Sequence, residues 1–197
     1  MTTLRGFGVD IVREREIARK VQTLIERFYG IASAADVTDF ISHGAGREQL
    51  LVREGHDGAV EIRLELPRID DDLDGVCQII EGVSHFVYVA TRASQDRKTT
   101  ALELEIQAEV DKYVVLAGDL ETLDVDRSAL LRSRLYERVT FTNAMLEERY
   151  RIANDAALRF TRRLEKTHVA ERRYSQLRNE LHAFFASGQE DKLRRAA

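Results

Sequence analysis

The sequence predicts a mainly α protein: a helical bundle-like domain with one small antiparallel β-hairpin and long C-terminal helices. Three observations predict it. Two successive stretches between Asp70 and Gly118 repeat apolar residues at the helical spacing of three and four. From Asp119 to Ser187 the chain has neither glycine nor proline, so no strong breaker interrupts helix there. Only Val60 to Leu66 alternates apolar and charged residues convincingly, as a half-buried strand does. At 197 residues one core suffices, burying roughly 70% of the unfolded surface. Residues 1–142 form the helical core with the hairpin, and residues 143–197 form a long helical segment that belongs to the same domain or is appended to it.

In chain order, Ile17, Val21, Leu24, Ile25 and Phe28 make the first helical stripe, which Gly30 ends. Ser33 with Asp36 spells a capping box, and a short helix to about Ser42 is expected after it. His43-Gly44-Ala45-Gly46 breaks that pattern. Gln49 to Arg53 and Val60 to Leu66 then read as a hairpin across Gly55-His56-Asp57-Gly58, closed by Pro67. An isolated hairpin is marginal, so it must pack on the helices or pair with a second copy.

The next helix opens at Asp70-Asp71-Asp72, whose carboxylates cap free backbone N–H groups and complement the helix dipole. Asp70, Asp71 and Asp74 also spell an aspartate-rich metal motif, but no second such motif follows, and capping accounts for them. Val76, Ile79, Ile80, Val83, Phe86, Val87 and Ala90 form its apolar stripe to about Ser94, with Glu81, Ser84, His85, Tyr88 and Arg92 opposite. After a polar turn at Gln95 to Lys98, a helix runs from Thr99 or Thr100 to Ala117, with Gly118 as its stop. There Glu103, Gln107 and Asp111 share one face and are expected in solvent, whereas Glu105, Glu109 and Lys112 lie among Ala101, Leu102, Ala108, Tyr113 and Leu116.

Downstream, one helix covers Ser128 to Arg138. Asn143 caps another, in which Leu146, Tyr150, Ala153, Ala157, Phe160 and Leu164 alternate four and three apart, a coiled-coil spacing. Unbroken to Ala186 it would span about 66 Å, so a bend is expected near His168, where the spacing fails before Tyr174, Leu177, Leu181, Phe184 and Phe185 resume it. Gly188 onward reads as a frayed tail.

Charge and motifs exclude several functions. The net charge is -4, so no global basic field argues for nucleic acid. Acids crowd Glu54 to Glu81 and bases crowd Arg149 to Arg178, a split that favours docking of opposite ends or self-association. The basic run at Arg159, Arg162, Arg163, Lys166, Arg172 and Arg173 lacks interleaved aromatics, and no specific nucleic-acid binding is expected. No segment approaches the ~18 apolar residues of a membrane span and no signal-peptide run opens the chain. A lone cysteine, Cys77, forms neither an intramolecular disulfide nor a thiolate cage, which fits the cytoplasm. Gly82-Val83-Ser84-His85-Phe86 lacks the last glycine of a nucleophile elbow, and no Walker loop or zinc-protease helix is present.

One constellation remains. Folding the two helices about residues 95 and 96 sets His85 beside Ile106 and Glu81 beside Val110, so Glu81, His85, Glu105 and Glu109 share a seam. Carboxylates and imidazole between helices are ligands for a divalent metal, although the repeated Glu-x-x-His of ferritin-like sites is missing. The alternative is a polar network in which Lys112 and Arg92 neutralise the acids. His43 and His56 fall in loops, His168 and His182 on the surface, and Cys77 is a semi-buried residue without a basic partner. The leading functional expectation is a non-catalytic interaction or regulatory module that forms a homodimer or larger homo-oligomer, its C-terminal helices engaging a protein partner. The second is a metal-binding protein or metal-dependent enzyme built on the Glu/His seam.

Overall fold

The computed structural model describes residues 11–31, 35–54, 60–69, 72–137 and 147–197. Helix α1 (Val12–Tyr29) leads through a 3-10 turn (Val37–Asp39) to strands β1 (Ile41–His43), β2 (Gln49–Glu54) and β3 (Val60–Leu66). Helices α2 (Leu73–Ala93), α3 (Ala101–Gly118), α4 (Val125–Tyr136), α5 (Glu147–Leu164), α6 (Tyr174–Ala186) and α7 (Gln189–Arg195) follow, with a π-helical turn at Glu165–Val169. The protein is mainly α with a small mixed sheet. Among the described residues no helix is long and apolar enough to cross a membrane.

Local chemistry sets most helix ends. Gly30, at φ +64°, takes the left-handed cap of α1, a conformation in which a Cβ would be strained. Asp72 accepts from Gly75 N at 2.7 Å, Thr100 from Glu103 N at 3.1 Å and Asp124 from Arg127 N at 2.8 Å, capping α2, α3 and α4. Gly118 falls inside the last turn of α3, and Asp119 is its cap. Ser33, Gly55 to Gly58, Asp70, Asp71, Asn143 and Leu146 lie outside the described residues.

The expected hairpin is present, from Gln49 opposite Glu65 to Glu54 opposite Val60. The helix expected before it is not. Asp36 caps only the 3-10 turn, and Ile41 to His43 then join β3 in parallel, with Gly44 N bonded to Leu66 O and Leu64 N to Phe40 O. Ile41 is buried, so pairing with β3 overrides the local helical signal. Strand order is β1-β3-β2. Leu64 and Leu66 turn inward against α2, whose Gly82 admits them: a Cβ there would sit 2.8 Å from Leu64 Cδ1. Gly82→Ala is therefore expected to cost about 1–3 kcal/mol by overpacking, read as a lowered midpoint in urea unfolding. An unchanged midpoint contradicts this contact.

Helices α2 and α3 form the centre and differ from their amphipathic reading. Glu81, Ser84, Tyr88 and Arg92, on the side opposite the α2 apolar stripe, are all buried. The cause is that α1, α3 and the sheet pack around α2. On α3, Glu103, Gln107 and Asp111 were expected in solvent but are 4%, 0% and 0% exposed, because α1, α2, α5 and α7 surround that helix. The coiled-coil stripe of α5 lies against α3 of its own chain, with Ala153, Ala157, Phe160 and Leu164 buried. Small alanines permit that close approach. Leu24, read as part of the α1 stripe, is exposed.

The expected bend takes the form of the π-helical turn followed by Arg172 at φ +52°. The tail after Gly188 is not frayed. It forms α7, which packs on α3 and buries Lys192 fully. His43, expected in a loop, instead ends β1, paired with Leu66, and is exposed. His182, expected on the surface, instead contacts the Phe28 and Tyr29 rings at 5.8 Å, with Nε2 2.6 Å from Phe28 O.

Candidate metal centre

The α2–α3 pair, joined by a turn in which Asp96 takes φ +53°, brings the predicted seam together. Residues Glu81 and His85 are one turn apart on α2, as Glu105 and Glu109 are on α3, so each pair projects to one side. Nε2 of His85 lies 3.7 Å from Glu105 Oε2. Among the described residues Glu81, His85 and Glu105 each offer a donor atom, and all three atoms lie within 4.8 Å of one another. Donors about 2.0 to 2.2 Å from a single ion are at most about 4.4 Å apart, so small side-chain rotations close the set. Glu109 stands beside this trio and not in it: its Oε1 accepts from Lys112 Nζ at 2.9 Å.

Lys112 is the main internal cation of the seam, as the network reading expected. Its ammonium also lies 2.7 Å from Glu81 Oε2, and its side chain is 10% exposed. Burial works against the charge, but Glu109 and Glu81 outweigh it and hold the ammonium protonated well above its ordinary range. Arg92 does not serve the seam. It pairs with Glu103 at 2.8 Å, accompanied by the Tyr88 hydroxyl and the carbonyl of Ser187. The cation on Glu105 is Arg149, at 3.1 Å from Oε1.

Two members were missed in the sequence, Glu48 and Arg149. Glu48 precedes β2 and has a side chain only 6% exposed. Its Oε2 makes no hydrogen bond and lies 3.8 Å from Arg47 Nε. Burial and the adjacent Glu81 charge raise Glu48 to about 9, so Glu48 holds the proton between these two carboxyls. Glu81 is kept ionised: burial disfavours its charge, but the adjacent Lys112 ammonium prevails. No local pattern marks Glu48 or Arg149, since only the sheet and α5 carry them to the seam.

Burial, followed by the Glu81 charge, lifts Glu105 to about 7. His85 is shifted the other way, since burial disfavours the imidazolium more than Glu81 supports it. The ring is therefore neutral at physiological pH, as a ligand must be. Nε2 is buried without a hydrogen bond and lies toward the Glu105 carboxylate. Cys77 is the inert residue expected, with burial pushing its thiol to about 12.

The raised Glu105 value gives a sign for pH dependence. A carboxyl whose folded value lies above its ordinary 4.5 stabilises the fold fully below 4.5 and loses that contribution as pH rises through about 7. Glutamine mimics the protonated form. The melting temperature of metal-free wild type, measured relative to Glu105→Gln, is thus expected to fall across that window. A flat difference removes Glu105 from the buried set.

A second polar network lies on the far side of α3, where the sequence reading had placed solvent. Asp111 accepts from the Tyr29 hydroxyl at 2.6 Å, from Ser84 at 2.6 Å and from Gln107 at 2.8 Å. Lys192 donates to Gln107 Oε1 and to the Phe184 carbonyl, each at 2.6 Å, over the faces of Tyr88 and Phe184. Each of these polar groups has a partner, and the network ties α1, α2, α3 and α7 together. In comparisons with protein-family models, curated proteins and solved structures, nothing matches this chain.

Proposed function

We propose that this protein binds one divalent metal ion between α2 and α3, with His85, Glu81 and Glu105 as ligands. The carrying observation is the buried convergence of one imidazole nitrogen and two carboxylate oxygens within 4.8 Å, with His85 Nε2 lacking any hydrogen bond. One nitrogen and carboxylate oxygens suit Zn²⁺, Mn²⁺ or Fe²⁺. Electrostatics support the reading, because among the described residues Glu48, Glu81, Glu105 and Glu109 meet only Lys112, Arg149 and the half-exposed Arg47. Glu48 holds a proton where a further cation would let it ionise. Binding an ion therefore releases protons and tightens with pH.

Elemental analysis of protein purified without a metal-affinity tag tests the reading. One equivalent of a divalent metal is expected in the wild type, with loss in His85→Ala and Glu105→Gln. Metal-free protein that takes up none on titration overturns it. A cytoplasmic setting accompanies this proposal, because Cys77 needs no oxidising partner.

Self-association and a partner on the C-terminal helices form the other reading. Three features of the sequence pointed that way, and contacts within the chain satisfy two of them: α5 packs on α3, and the hairpin gains β1 and the cover of α2. The uneven charge split is the support that remains for it.

A further inference from the structure

The ammonium of Lys112 sits in a cage made from the same carboxylates as the candidate metal centre. Glu81 Oε2 lies 2.7 Å from it and Glu109 Oε1 2.9 Å. Burial beside Glu81 keeps the neighbouring Glu48 protonated, and the buried Glu48 Oε2 has no hydrogen-bond partner. Glu81 thus belongs to two neighbouring cation positions. One is bounded by His85 and Glu105, the other by Glu109. A carboxylate shared between two cation positions, with further carboxylates at each, is the ligand logic of a two-metal site. Here the second position already holds a positive charge on a side chain.

We propose that Lys112 is a resident cation filling the second position of a two-cation carboxylate centre, so that the chain accepts one metal ion and no more. This rests on the metal reading above. Two consequences follow from the geometry. Glu109 is committed to Lys112 and is not a metal ligand, so its neutral isostere should leave the ion in place. Shortening Lys112 should open a position between Glu81 and Glu109, which another divalent ion can occupy.

Mn²⁺ titration of the full chain, with free ion counted by electron paramagnetic resonance, tests this. Expected are one bound Mn²⁺ in the wild type, one in Glu109→Gln with affinity within about threefold, and two in Lys112→Ala. One ion in both the wild type and Lys112→Ala overturns the role given to Lys112 while leaving the metal reading intact. No ion in the wild type overturns the metal reading, and this inference falls with it. Should Lys112→Ala fail to fold, Glu109→Gln decides: retained Mn²⁺ supports the assignment, and loss of the ion shows that the Lys112 cage is part of the metal site and contradicts it.

Discussion

Asp111→Ala is expected to lower unfolding free energy by about 3–5 kcal/mol, measured by urea denaturation, and to be among the most damaging single changes in the chain. The carboxylate accepts from Tyr29, Ser84 and Gln107 in a region closed to water. Removing it leaves the Tyr29 and Ser84 hydroxyls unpaired and Gln107 with only a long bond to Tyr29, and each unsatisfied buried group costs about 1–3 kcal/mol, reduced where the site relaxes. Ser84→Ala, which removes one donor and leaves the acceptor two partners, should cost only about 1 kcal/mol. Equal losses in the two variants would contradict the hub role of Asp111.

Lys112→Met is expected to cost about 3–5 kcal/mol in metal-free protein, the usual consequence of deleting one partner of a buried ion pair. Methionine conserves the length of the side chain, so the loss is electrostatic. Without the ammonium, Glu81 and Glu109 face each other and Glu48 uncompensated, and the fold can hold them only by taking up protons. The penalty should therefore shrink as pH is lowered and grow as it is raised. A penalty independent of pH would assign the effect to packing.

Much of the seam is legible in sequence because it depends on local rules. Residues Glu81 and His85 are four apart, as Glu105 and Glu109 are, and a polar turn between two capped helices sets their pairing. The two-helix geometry thus sets His85 beside Ile106, with Glu105 and Glu109 in reach, and the ring is found 3.7 Å from Glu105. The division of labour among the carboxylates was not legible. Which acid meets Lys112, Arg149 or the imidazole depends on ångström-scale packing, and Glu48 reaches the seam only through strand pairing.

The second network was misread for a physical reason. Glu103, Gln107 and Asp111 fall on one helical face, and a polar stripe ordinarily marks solvent. Here Tyr29, Ser84, Arg92 and Lys192 satisfy that stripe from α1, α2 and α7. With α5 packed on α3 as well, these helices leave α3 no open side, so periodicity carries no solvent signal for it. The same limit applies to α5, whose alanine and phenylalanine stripe has the spacing of an intermolecular seam yet packs within the chain.

Nitrogen-15 NMR of the imidazole rings during Zn²⁺ titration of the metal-free protein tests the metal centre most directly, with His85 assigned by its loss in His85→Gln. Before addition, a neutral ring is expected, and one equivalent of Zn²⁺ should move the His85 Nε2 resonance to a metal-bound position and saturate. A His85 Nε2 signal unmoved at saturating Zn²⁺ would contradict the centre.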